Sequence, residues 1–193
     1  MARLALDSGR WLSRERLVDA TWPESDYGAA LSSFYAALRS LRRRLRVAWP
    51  ASADWVECED GNYRLRTDDE LQIGAAEFLD LVRRAEQLSA RRDLRATESW
   101  RAALDLYGGP FLEDAHTAEP WIFAARHGFE ERAIMSALAL AEQSARDRAF
   151  VEGAEILWSA LSWRPDDERL RGALRSVYAA RGSTSLLVQL RGE

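Results

Sequence analysis

Apolar positions recur along this chain with two different periods, and the change of period divides it. Between Ser13 and Trp22 the apolar residues Leu17, Val18 and Trp22 share one side of a short helix. Ser13 is placed to cap its start, Glu15 lies in its first turn and Pro23 ends it. A longer helix is predicted over 29–48, with Pro50 just past its end. On a wheel with Phe34 at the origin, Leu31, Leu38, Leu41 and Leu45 fall in one narrow arc, so that arc faces a core. The period then shortens to two. "WVECEDGNYRLR", residues 55–66, alternates, and Asp60-Gly61 is a hairpin turn signal between two short strands.

Beyond "TDDELQI" the helical period returns and stays. The stretch 75–90 sets Phe78, Leu81, Val82, Ala85 and Leu88 on one stripe. A helix over 94–107 is stopped by Gly108-Gly109-Pro110, and three more are predicted at 121–146, 150–163 and 166–180. The tail "STSLLVQL" is a candidate for another. "WRAALDLYGGP" and "LWSALSWRPDD" form a faint internal repeat, each closing a helix at a proline. Ala141, Gly153 and Ala160, with Leu157 between them and Pro165 at the end, follow the spacing of tetratricopeptide helix pairs, where small residues let helices approach closely.

Charge sharpens this division. The net charge of the 193 residues is −4, and all 27 basic residues are arginine. Residues 1–66 hold 11 arginines against nine acids, whereas residues 67–193 hold 16 against 22. The second half is therefore too acidic to bind a polyanion by bulk charge. The first half concentrates its charge in "FYAALRSLRRRLRVAWP", where five arginines meet no acid. On the predicted helix 29–48, Ser32, Tyr35, Arg39, Arg42, Arg43 and Arg46 lie opposite the apolar arc, with Arg44 on a flank. Solvated helix faces usually alternate sign to gain i,i+4 pairs; a face without acids repels itself unless an anion meets it. A short helix, a turn, a long basic helix and a hairpin follow the order of a winged helix-turn-helix, whose second helix enters the DNA major groove.

Three segments, "GRWLSRERLVDATW", "LRSLRRRLR" and "WVECEDGNYRLR", resemble the C-terminal part of an OmpR-type winged helix. "GAAEFLDLVRRA", "ALDLYGGPFLEDA" and "EPW" resemble the bacterial transcriptional activator domain, a tetratricopeptide-like module. The pairing is similar to the SARP family of transcriptional activators. The resemblance implies a mainly α fold: a truncated winged helix-turn-helix with one β-hairpin over 1–66, then an all-helical tetratricopeptide-like domain over 67–193. The chain matches only the end of the family's first helix, so the usual N-terminal sheet is expected to be missing, leaving apolar surface near Leu4 and Leu6 uncovered. It further implies a transcriptional regulator, an activator, that contacts double-stranded promoter DNA through Arg14, Ser32, Tyr35, Arg39, Arg42, Arg43, Arg46 and Asn62. Residues 67–193 would hold RNA polymerase or a dimer partner. The wing turn "ECEDGN" is acidic where a DNA-facing wing favours basic residues, so an adaptor whose winged helix no longer binds DNA is the alternative.

The other reactive residues suggest no enzyme. His116 and His127 lack the spacing and companions of a metal site, and Cys58, the only cysteine, reads as a small strand filler. "GGP" is a helix stop rather than a phosphate loop, and "PDDE" is a helix start rather than a metal cluster. Trp100, Trp121, Trp158 and Trp163 read as helix packing. No metal or cofactor is expected. No apolar run is long enough to span a bilayer, and with neither a signal-like start nor a cysteine pair a cytoplasmic location is expected.

Overall fold

The computed structural model describes Leu4, Asp7 and residues 9–48, 55–66, 74–111 and 120–182. Pro50, "TDDELQI", His116 and the tail "STSLLVQL" lie outside the described residues, as do Leu6 and the side chain of Trp121. The chain divides into two compact units, Met1–Glu77 and Phe78–Glu193.

The first unit contains β1 (Leu12–Ser13), α1 (Arg14–Thr21), α2 (Tyr27–Ala48), β2 (Val56–Glu59) and β3 (Asn62–Leu65). Ser13 caps α1 as its sequence suggested, its Oγ accepting from the Arg16 amide at 3.2 Å. α2 begins two residues earlier than the apolar period indicated, because the Asp26 carboxylate accepts from the amides of Gly28 and Ala29. The hairpin forms where expected. Asp60 and Gly61 both take left-handed backbone angles, φ 48° and 76°, which the tight primed turn requires and which glycine adopts without strain.

The sheet has a third strand that the sequence did not reveal. β1 pairs antiparallel with β3, Leu12 opposite Tyr63 and Ser13 opposite Asn62, giving the order β1-β3-β2. Two residues are too few to show alternation, but the free edge of β3 needs partners for its amides and carbonyls. The Gly61 carbonyl at the hairpin turn also accepts from the Arg14 amide, joining the wing to the start of α1.

One core fills this unit. Phe34, Leu38 and Leu45 of α2 pack with Leu17 and Val18 of α1 and with Tyr63 and Leu65 of β3, as the stripe predicted. Leu41 and Trp22 join only half-buried. Leu4 is 6% exposed within the same core, so its side chain is covered, contrary to expectation; Leu6 lies outside the described residues. Cys58 is also not the filler expected: it is exposed, across the ladder from Tyr63.

The second unit is helical: α3 (Gly74–Ala90), α4 (Arg95–Leu106), α5 (Pro120–Arg146), α6 (Phe150–Trp163) and α7 (Glu168–Arg181). All five stand within two residues of their predicted bounds. Its core joins Ile134, Ala137 and Ala141 of α5 to Leu157 and Ala160 of α6 and to Leu170 and Leu174 of α7. The small-residue reading holds at Gly153, where an added Cβ would lie 3.3 Å from the Ser144 Cβ and 3.5 Å from the Ala141 carbonyl oxygen. Among the tryptophans, Trp100 is buried with its indole N–H donating to Ser89, and Trp163 stands edge-on to Tyr107 at 4.7 Å. Trp158 departs from the expectation: it is half exposed, although its N–H donates to the Tyr178 hydroxyl at 2.8 Å.

Candidate nucleic-acid interface

The outward face of α2 follows from its inward one. Burying Phe34, Leu38 and Leu45 turns Ser32, Tyr35, Arg39, Arg43 and Arg46 to the surface, and all five are exposed. Arg44 is exposed on its flank. Among the described residues no ion pair engages Arg39, Arg43 or Arg44. Arg39 and Arg43 are also one turn apart, so like charges stand together.

The remaining predicted contact residues are held differently. Arg42, on the border of the two faces, is half-buried and donates from Nη2 to the Val56 carbonyl at 2.9 Å. Trp55 O accepts from Arg66 N within the hairpin, so the next carbonyl, Val56, points to the open edge of β2. Arg42 therefore ties α2 to the wing and covers an edge group that would otherwise seek another strand. The Ser32 hydroxyl donates to Gly28 O one turn back, at 3.0 Å. Asn62 sits at the wing turn, its side-chain amide donating to Asp60 O at 3.4 Å.

Arg14, the first residue of α1, meets α2 directly. Its Nη1 donates to the Tyr35 hydroxyl at 3.3 Å and its Nη2 to Glu15 at 2.9 Å. The bond to Tyr35, then that to Glu15, raises the pKa of the guanidinium further. The Tyr35 ring is set edge-on to Phe34 at 5.5 Å, and Phe34 edge-on to Tyr63 at 5.1 Å. An aromatic path thus runs from the core to the exposed face. Burial, and then a hydrogen bond with Cys58, pushes the Tyr63 phenol up to about 12.

The sheet's outward side is less basic. Arg64 is engaged by Glu57 at 2.5 Å and lies over the Trp11 ring at 4.4 Å. Glu59 and Asp60 are exposed at the tip. Among the described residues, no group of His, Cys, Asp and Glu is arranged to hold a metal ion.

Where α5, α6 and α7 meet in the second unit, charge is matched instead. Arg164 donates to Glu130 at 2.5 Å and to Glu131 at 3.0 Å, and Arg169 to Glu131 at 3.0 Å and to Asp167 at 2.7 Å. Asp167 is the N-cap of α7, accepting from the amides of Arg169 and Leu170, as the helix-start reading of "PDDE" expected. Arg169 above all, with the helix amides, holds its carboxyl down at about 2.

A basic helix docked on a small winged sheet, followed by paired helices, defines the class: a helix-turn-helix unit joined to a tetratricopeptide-like module. The bacterial transcriptional activator domain matches residues 74–186, and the chain belongs to that family, one of transcription regulators rather than enzymes. This is the family that "LYGGPFLED" and its neighbours resembled. The fold is similar to that of Mycobacterium tuberculosis EmbR, solved in complex with a low-affinity phosphopeptide, with a TM-score of 0.74 at 21% identity. That likeness covers 98% of this chain and 50% of EmbR, so the chain spans half the length of that protein. No curated protein matches the chain. Among the described residues no helix is long and apolar enough to cross a membrane.

Proposed function

We propose that this chain is a DNA-binding transcriptional activator of the SARP kind, working in the cytoplasm. Residues 1–66 grip double-stranded promoter DNA, and residues 67–193 hold a protein partner, RNA polymerase or a second activator. The observation that carries the reading is the exposed, acid-free row of Arg39, Arg43 and Arg44 on a helix whose other face is docked in a winged core. Such a row is stabilised by an array of phosphates rather than by water. Arg39 lies nearer the start of α2 and contributes to base discrimination, while Arg43 and Arg46 contact phosphates. Arg42 positions the wing against α2.

The adaptor reading draws on a different observation, the exposed Glu59 and Asp60 at the wing tip, which would repel a DNA backbone. One titration separates the two. The full chain should bind its promoter region, with affinity falling steeply as salt rises; Arg43→Ala should lower the salt slope by roughly one on every DNA, and Arg39→Ala should narrow the gap between promoter and random DNA. Glu59→Arg should strengthen binding if the wing lies beside the duplex. No binding at low salt, with Glu59→Arg without effect, would establish the adaptor instead.

A further inference from the structure

Tyr35 differs from every other side chain on the exposed face of α2 in being both apolar and held from two sides. Its ring is fixed edge-on to Phe34, which is fixed in turn by Tyr63. Its hydroxyl oxygen accepts from Nη1 of Arg14, a residue of the other helix of the pair. Because that oxygen is occupied as an acceptor, the phenolic hydrogen is directed away from Arg14 and remains to be donated. Tyr35 is 39% exposed, so the residue is open to a ligand on this face. Tyr35 also precedes Arg39 by one turn, on the same face and nearer the start of the helix, where a major-groove helix meets base edges.

Resting on the DNA-binding reading above, we infer that Tyr35 reads one base pair through its hydroxyl, and that Arg14 acts as its positioning residue rather than as a phosphate contact. A side chain able only to donate discriminates by acceptors. In the major groove guanine offers N7 and O6, adenine N7 and thymine O4, whereas cytosine offers only a donor. The positive charge of Arg14 beside the hydroxyl adds attraction to the most negative of these edges, that of guanine. Tyr35 therefore favours guanine and rejects cytosine on the strand that it faces. The fixed ring lowers the entropy lost on contact, since little side-chain freedom remains to be removed.

Selection of sites from a random duplex library by the full chain tests this, with Tyr35→Phe and Arg14→Lys beside the wild type and thermal melting to check that both variants fold. Tyr35→Phe keeps the ring and removes only the donor. It should weaken the preference at one position by roughly three- to tenfold, the range for one net hydrogen bond, and leave the other positions unchanged. Arg14→Lys keeps the charge but loses the forked geometry. It should weaken the same position. Unchanged preference in Tyr35→Phe overturns the base-reading role. A uniform loss of affinity in Arg14→Lys, with preferences intact, makes Arg14 a phosphate contact and overturns its positioning role. Failure of the wild type to enrich any site overturns the DNA-binding reading itself, and this inference with it.

Discussion

The same residue, arginine, is used in opposite ways by two regions of this chain, the exposed face of α2 and the packed helices of the second unit. In the second unit many of its copies are neutralised. Arg95 pairs with Asp93 at 2.6 Å, Arg101 of α4 with Glu152 of α6 at 2.5 Å, and Arg83 and Arg146 with acids one turn away. Arg164 and Arg169 draw three acids into a network that crosses from α5 to the start of α7. In the first unit the arginines of α2 are gathered on one exposed face, and neither Arg39, Arg43 nor Arg44 meets an acid among the described residues. Matched charge holds helices in register and leaves little field for a ligand. Unmatched charge on a folded scaffold costs a few tenths of a kcal/mol for each like-charged neighbour on the helix and creates a site for an anion. Arg14 and Arg42 stand between these uses, each half-buried and tied to another element.

Four measurements would break or sharpen this contrast. The largest effect belongs to neither charge pattern. If the second unit is held mainly by its core, with ion pairs as an addition, Leu157→Ala should cost about 2–5 kcal/mol in a denaturant melt, because Leu157 is fully buried where α5, α6 and α7 meet. Arg164→Ala should cost less, about 1–3 kcal/mol, since it leaves Glu130 and Glu131 partly buried without their shared donor. A loss from Arg164→Ala exceeding that from Leu157→Ala would reverse the order of core and network. The cap at Asp167 comes next. Asp167→Ala should cost about 1 kcal/mol near neutral pH. Its folded pKa, about 2, lies below the unfolded value, so the contribution is complete above that unfolded value and fades as pH falls through the folded one. The gap between wild type and variant should therefore be nearly closed at pH 2, and a gap independent of pH would remove the carboxylate from the explanation. The smallest effect is the sharpest contrast: Arg43→Ala should change stability by less than about 0.5 kcal/mol while weakening DNA binding. A loss of stability comparable to that from Arg164→Ala would show that Arg43 is held as Arg164 is.

Much of the first unit was readable because local chemistry and burial agree there. Ser13 caps where a serine before a helical period should, and Asp60-Gly61 turns where two left-handed residues are needed. The apolar arc of α2 also indicated that Arg39, Arg43 and Arg46 are exposed, although Arg42, placed with them, is half-buried. The errors have one physical origin. β1, the burial of Leu4 and the exposure of Cys58 depend on what the rest of the chain places beside them, and no local period carries that information. Trp158 shows the same in the second unit, since its helix position did not say which side the neighbouring helices would cover.

By itself, then, the sequence determined the helices and the hairpin, their order and the side of most helices that seeks a core, because propensity, capping and hydrophobic period act over a few residues. It also determined that one face of α2 carries arginines without acids. Tertiary structure alone decided which of those side chains face outward unengaged and which are held. Arg42 reaches the Val56 carbonyl across 14 positions, and Arg14 reaches the Tyr35 hydroxyl across 21. Contacts at such separations arise only when helices and sheet dock on a shared core, and that docking distinguishes an arginine that positions from one that is left to bind.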